Sequence, residues 1–227
     1  YKLLMKKLDI IILCGGFGKR IRSKSKNLPK ILIEIKKNIP FIEYFFNSLN
    51  IKLFRNTILS TGYRRNKIIS YSKKNSHLNL TLCDEKKPLG TGGAVKNVLK
   101  KHDLTDPFIV INGDSFFSFN FKKLLNSKIL NSKKSFILLK KTEKQKRFDQ
   151  FKIFKNKLFM LKKNEIGTNL INSGLYLFYK KNFRNQKIKF SIEQDIIPKL
   201  IKNNKLDYIK NSSNIFFDIG VPKDLNK

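Results

Sequence analysis

The chain has 227 residues, 41% of them hydrophobic and 12% aromatic, and a net charge of +33. That apolar share can bury a core without disulfide or metal staples, which excludes a disordered tail, a collagen-like rod and a mini-protein. No apolar run approaches the roughly 20 residues of a membrane span, and residues 10–14 are too few for a signal-peptide core, so no membrane partner is expected and the compartment is cytoplasmic. Of the 49 basic residues 42 are lysine and seven arginine. Arginine suits bidentate phosphate and base recognition. Its scarcity, with lysines scattered among Asn, Ile and Phe, reads as coding bias rather than as a nucleic-acid interface. Two cysteines and two histidines form no CxxC pair or Cys/His cluster, which removes support for zinc, redox and Ser-His or Cys-His chemistry.

Along the chain, strand-like and helix-like segments alternate, the pattern of an α/β sheet. Residues 9–14 form a buried strand ending in glycines. Residues 41–54 carry apolar side chains at helical spacing behind Pro40. A strand at 57–61, a helix at 64–73, an alternating strand at 78–83, a helix at 94–101 and a buried strand at 108–111 follow. The second half is richer in strands, at 135–139, 151–154, 158–161 and 175–179, the middle two forming a hairpin around Lys155-Asn156-Lys157. Ser191 is placed as the N-cap of a helix running to Lys202, with Gln194 completing a capping box and Pro198 kinking or dividing it. A last strand spans 214–218. With no repeat and no linker, one domain is expected, its two halves sharing one sheet.

Three glycine or carboxylate clusters fall at strand ends. Leu13-Cys14-Gly15-Gly16-Phe17-Gly18-Lys19-Arg20 follows the first strand; its glycines would let backbone N–H groups approach a phosphate, or simply make a tight turn. It fits neither a Walker loop nor the dinucleotide fingerprint. Pro29-Lys30 holds one lysine behind a rigid residue. Pro88-Leu89-Gly90-Thr91-Gly92-Gly93, after Asp84 and Glu85, abuts a helix start and would bring a flat ligand close to the backbone. Ile111-Asn112-Gly113-Asp114 presents a carboxylate at a strand's C-terminal edge, where α/β sheets bind ligands. Asp218 ends the last strand. Together the two aspartates could hold a hard cation such as magnesium.

In this order the GG-x-G-x-R loop, the Pro-Lys pair, PLGTGGA, NGD, the N-x-G strand around Asn172 and Gly174, and the DIG of residues 218–220 resemble the sugar-phosphate nucleotidyltransferases over residues 9–224. The resemblance implies a glycosyltransferase-A-like (Rossmann-like) α/β fold, a mixed sheet flanked by helices. It would be a single domain, with a nucleotide-binding half of about residues 1–115 and a sugar-binding half of about 116–227. It also implies an enzyme that joins a nucleoside triphosphate to a sugar 1-phosphate and releases pyrophosphate. By similarity, Arg20, Lys30 and Asp114 would be catalytic. Leu13, Gly15, Gly16, Glu85, Gly90, Gly92 and Asn112 would bind the nucleotide. Asn172, Gly174 and, more weakly, Glu193 would meet the sugar, and Asp114 and Asp218 would bind Mg2+. Lys19 stands where many members have Thr, and Cys14 where Ala is usual. PLGTGGA, SIEQDIIPKL and FFDIGVPKDL look most like the short D-glycero-D-manno-heptose 1-phosphate guanylyltransferases, which implies GTP, manno-heptose 1-phosphate and a role in polysaccharide biosynthesis. Mannose 1-phosphate guanylyl transfer and N-acetylmuramate 1-phosphate uridylyl transfer are the enzymatic alternatives. A basic nucleic-acid-binding protein and a catalytically silent sugar-nucleotide-binding subunit are the non-enzymatic ones. Self-association into a homo-oligomer is an open expectation.

Overall fold

The computed structural model describes residues 7–16, 27–36, 38–125, 128–142, 148–161, 165, 169–213 and 215–220. Along the chain lie β1 (Ile10–Leu13), β2 (Glu34–Lys36), β3 (Ile39–Pro40), α1 (Phe41–Leu49), β4 (Thr57–Thr61), α2 (Arg65–Lys74), β5 (Leu80–Asp84), α3 (Gly90–Lys101) and β6 (Phe108–Asn112). Then come β7 (Ser115–Phe117), α4 (Phe121–Leu125), β8 (Ser135–Lys141), β9 (Gln150–Phe154), β10 (Lys157–Met160), β11 (Leu170–Phe178), α5 (Ile197–Lys202), β12 (Leu206–Asn211) and β13 (Phe216–Asp218).

The apolar runs IIIL and FIVIN are continuous because both faces of the strands they form are covered. Ile10 and Ile12 of β1 enter one core with Phe41, Phe45 and Leu49 of α1, while Ile11 enters a second core with Val95 and Val98 of α3. β1 lies between β6 and β4, and β5 follows β4, all parallel. β11 then joins β6 antiparallel through residues 175–178. Its earlier residues pair with β9, and its other edge pairs with β8, which carries β12 in parallel. Nine strands from both halves of the chain thus share one sheet. This is the mixed, helix-flanked sheet expected from the sequence. Between Asn172 and Tyr176 the β11–β8 register shifts. Such bulges re-aim side chains beside active sites.

Several boundaries differ from the sequence reading for local reasons. α1 stops at Leu49 because Asn50 adopts a left-handed φ of 47°, and the apolar period continues into the 3-10 turn Ile51–Leu53. α3 begins at Gly90, so the glycines make its first turn instead of preceding it. Leu78 belongs to a 3-10 turn, and β5 is a sheet edge whose residues 80–82 are only half-buried, so their alternation does not report burial. Ser191 does cap its helix, accepting from the Glu193 and Gln194 N–H groups, but the reciprocal partner of its own N–H is Asp195, not Gln194. The first turn, Ile192–Ile196, is π-helical, and Pro198 sits in the first turn of α5 where its missing N–H leaves no gap. The Lys155–Asn156 turn has positive φ at both residues, as a tight hairpin requires. β2, β3, β7, α4 and β12 carry too short or too polar a pattern to be read in advance. Asn214, the expected start of the last strand, lies outside the described residues.

At the end of the sheet away from the strand C-termini, Asp9 is fully buried. Its carboxylate accepts from Arg55 Nε (2.9 Å) and Nη2 (2.6 Å), Asn56 Nδ2 (2.9 Å) and Thr105 N (2.6 Å), tying the entries of β1 and β4 to the loop before β6. Removing the carboxylate strands these donors in a buried setting. Asp9→Ala is therefore expected to lower unfolding free energy by about 3 kcal/mol in urea titrations; a loss below about 0.5 kcal/mol would show that the cluster is not structural.

Candidate active site

The parallel strands β1, β4, β5 and β6 end together, and the segments leaving β1, β5 and β6 wall a cleft of about 300 Å³. Leu13, Gly15 and Gly16 line it from β1, Glu85 from β5, Gly90 and Thr91 from the start of α3, and Asn112, Gly113 and Asp114 from β6. Lys30 enters from the far wall. It heads a 3-10 turn behind Pro29 whose next two residues, Ile31 and Leu32, are buried. The turn is therefore anchored, and the lysine is aimed: its Nζ donates to Asp114 Oδ2 at 2.7 Å, with the two side chains 23% and 33% exposed.

Asp218 reaches the same place by strand pairing. β13 and β7 are antiparallel with Asp218 opposite Ser115, and Ile219 N donates to Asp114 O at 2.9 Å. Asp218 Oδ1 accepts from Gly220 N at 2.7 Å. A Cβ on Gly220 would stand 2.8 Å from Asp218 Oδ1 and 2.9 Å from Lys30 Nζ, so glycine lets these groups close up. Lys30 and Asp114, which line the cleft, and Asp218 beside them form one cluster. Two half-buried carboxylates suit magnesium, which takes one or two protein oxygens and completes its shell with water and substrate phosphate. Among the described residues no group of three or more His, Cys, Asp or Glu could hold a metal by itself.

Glu85 lines the cleft while bracing it. Its Oε2 accepts from Leu89 N (3.1 Å) and its Oε1 from Ser60 Oγ (3.3 Å), and Gly15 lies so close that a Cβ there would be 2.9 Å from Oε1. Burial pushes the Glu85 carboxyl up, opposed by the Leu89 N–H, the Ser60 hydroxyl and the Lys101 charge. Gly92 does not line the cleft. The segment at Ile188–Phe190 lies across the first turn of α3, Phe190 O accepts from Gly92 N and Gly93 N at 3.1 and 3.2 Å, and a Cβ on Gly92 would overlap the Phe190 ring. Here glycine serves protein packing rather than an approaching ligand.

In β11, Gly174 has φ +83° and packs directly on the Asn112 side chain. Asn112 Oδ1 is buried with no partner among the described residues. Asn172 Oδ1 accepts from Gly174 N at 2.9 Å and its Nδ2 donates to Tyr176 Oη at 2.6 Å. Glu193 meets Tyr176, Thr91 and Ser191. Asn112 and Gly174 thus join the two halves, whereas Glu193 touches protein groups. Arg20 and Lys19 lie outside the described residues. Ser60, Thr91 and Tyr176 were not singled out from the sequence; only Thr91 had a signal, its place between two glycines of the second cluster.

A model of the nucleotidyl transferase family matches residues 9–227. The chain belongs to that family. Among relatives of this family, the D-glycero-alpha-D-manno-heptose 1-phosphate guanylyltransferase of Aneurinibacillus thermoaerophilus is 34% identical over 224 residues, covering 97% of this chain and 96% of its own. The enzyme of the same name from Campylobacter jejuni is 32% identical over 222 residues, 96% of each chain. The crystal structure of HddC from Yersinia pseudotuberculosis, also solved with GMP-PN, superposes with a TM-score of 0.79 at 31% identity, covering 96% of both chains. The nucleotidyl transferase fold and family implied by the motifs are thus established. Among the described residues no helix is long and apolar enough to cross a membrane.

Cys14 lines the cleft. Burial, and secondarily the Asp114 charge, push its thiol far up; burial also raises the Cys83 thiol. A raised thiol pKa keeps the neutral, unreactive form at alkaline pH. The native protein should therefore resist iodoacetamide at about pH 8.5 and label at both cysteines only in denaturant. Rapid native labelling of Cys14, read by mass spectrometry, would contradict this environment.

Proposed function

We propose that the protein transfers a guanylyl group from GTP to a manno-heptose 1-phosphate. The observation that carries the reading is the pairing of Lys30 with Asp114 in a glycine-walled cleft, with Asp218 beside them and Gly174 packed on Asn112 of the lining. Heptose and guanine are supported by the full-length similarity to heptose 1-phosphate guanylyltransferases.

The reaction is an in-line displacement. A phosphate oxygen of the sugar 1-phosphate forms a bond to the α-phosphorus of GTP, the bond to the bridging oxygen of the β-phosphate breaks, and pyrophosphate leaves. The protein's work is positioning and charge neutralisation. The backbone at Gly15 and Gly16, with Arg20, holds the triphosphate, and Leu13, Gly90 and Asn112 flank the nucleoside. Glu85 keeps the walls at Gly15 and Leu89 at a fixed separation. Lys30, held at 2.7 Å from Asp114 in the free protein, turns its ammonium to the α-phosphate as charge grows there. Asn172 and Gly174 orient the sugar phosphate for attack. Asp114 and Asp218 would hold Mg2+, which when bound supplies positive charge to the phosphate oxygens. The product, a GDP-heptose, is an activated donor for polysaccharide assembly, made in the cytoplasm.

Mannose 1-phosphate is the second reading, because the mannose-1-phosphate guanylyltransferase catalytic subunit beta of Drosophila melanogaster is 30% identical over 226 residues, 94% of this chain and 60% of its own. Pyrophosphate release decides between them. With Mg2+ present, kcat/KM for GTP and D-glycero-α-D-manno-heptose 1-phosphate should exceed that for mannose or N-acetylmuramate 1-phosphate by about 10-fold or more, the discrimination that pocket contacts of this size achieve. UTP or CTP should replace GTP poorly. A preference for UTP, or equal use of mannose, would overturn the substrate assignment and leave the nucleotidyl transfer class intact.

A further inference from the structure

A partly buried polar chain runs behind Asn172. Glu193 Oε2 accepts from Thr91 Oγ1 and from Ser191 Oγ, both at 2.7 Å, and its Oε1 accepts from Tyr176 Oη at 3.1 Å. Tyr176 is fully buried, and its oxygen accepts from Asn172 Nδ2 at 2.6 Å. Asn172 Oδ1 in turn accepts from Gly174 N. The chain spans three separate parts of the fold: the first turn of α3 at the cleft, the cap of the helix beginning at Ile192, and the bulge of β11.

Its direction is set by chemistry. An ionised carboxylate only accepts hydrogen bonds. Tyr176 must then donate its single proton to Glu193, which leaves its oxygen as the acceptor for Asn172. The Asn172 amide nitrogen is therefore turned inward and its carbonyl oxygen toward Gly174. Burial holds the Tyr176 phenol well above its ordinary range, so the proton is present to be donated throughout the working pH range. A glutamine at 193 could donate as well as accept, which frees the Tyr176 proton to turn, and a phenylalanine at 176 would do neither, which leaves the Gly174 N–H as the one remaining partner of the Asn172 carboxamide among these groups.

We infer that Glu193 and Tyr176 are positioning residues for the acceptor site: through an obligatory donor–acceptor order they hold the Asn172 carboxamide in the one orientation that meets the sugar 1-phosphate, while Glu193 also pins Thr91 at the nucleotide side. The inference rests on the proposed placing of the sugar 1-phosphate at Asn172, and it moves Glu193 from a sugar contact to a support behind one.

A double-mutant cycle tests it, with GTP and whichever of D-glycero-α-D-manno-heptose 1-phosphate or mannose 1-phosphate the wild type consumes. Tyr176→Phe should raise the KM for the sugar 1-phosphate about 10-fold, the scale of one charge-assisted hydrogen bond, with the KM for GTP changed less than about twofold. Its thermal midpoint should stay close to wild type, since the ring keeps its stack on Phe178 (5.3 Å between centroids). Glu193→Gln, nearly the same in shape, should raise both KM values because it also loosens Thr91. Placed in an Asn172→Ala background, Tyr176→Phe should add less than about twofold, because its effect passes through Asn172. Multiplying effects, or an unchanged sugar-phosphate KM in Tyr176→Phe when Asn172→Ala raises it, would overturn the inference alone. An Asn172→Ala variant with unaltered sugar-phosphate KM would instead overturn the acceptor placement and the inference with it.

Discussion

The parallel register of β1 and β6 is the constraint on which the site depends. Leu13 lies opposite Asn112, and Gly113 N donates to Leu13 O at 3.0 Å. The two chains are so close that a Cβ on Gly113 would stand 2.9 Å from Leu13 O and 3.2 Å from Cys14 Sγ. Because this register is locked by strands buried on both faces, the Gly15–Gly16 turn and the Asn112–Asp114 turn leave the sheet side by side. A slip of one residue would turn Ile10, Ile11 and Ile12 to the opposite cores and carry Asp114 away from Lys30. The apolar cores and the polar cluster are in this sense one construction.

Around that edge, the remaining groups are placed by elements distant in sequence. Asp218 arrives through the β13–β7 ribbon, whose Phe116 and Phe217 stack at 4.6 Å and pack on Phe41 of α1. Asn172 arrives through the bulge in β11. Of the polar groups brought to the cleft, Lys30 is met by Asp114, and Glu85 by Ser60 and the Leu89 N–H. Such pairing offsets the desolvation that a water-poor site imposes.

Much of this was legible in the sequence, for reasons that differ by residue. β1 and β6 could be read because burial on both faces leaves unbroken apolar runs, and Asp114 and Asp218 stood out at strand ends where α/β sheets gather ligands. Lys30 could not be distinguished from 41 other lysines by composition; its family motif marked it, and the anchored 3-10 turn explains why that position is aimed. Gly92 shows the opposite limit. A glycine required by a ligand and one required by a crossing chain segment look alike in sequence, and only the Phe190 segment, about 100 residues away, separates them. Tyr176 was hidden, and Glu193 was read only as a sugar contact, for the same reason: a hydrogen-bonded chain across three elements has no local spacing. The bulge in β11 and the short β7 strand leave no periodic trace at all.

The central claim is that the Lys30–Asp114–Asp218 cluster acts on the chemical step, with lysine moving its charge to the α-phosphate as the transition state forms. Single-turnover rates of guanylyl transfer for Lys30→Ala, measured alongside GTP dissociation constants, test it most directly. The account predicts a rate constant lower by about 100-fold or more with GTP affinity weakened far less, the signature of an interaction strongest in the transition state. An unchanged single-turnover rate, with only GTP affinity reduced, would contradict it.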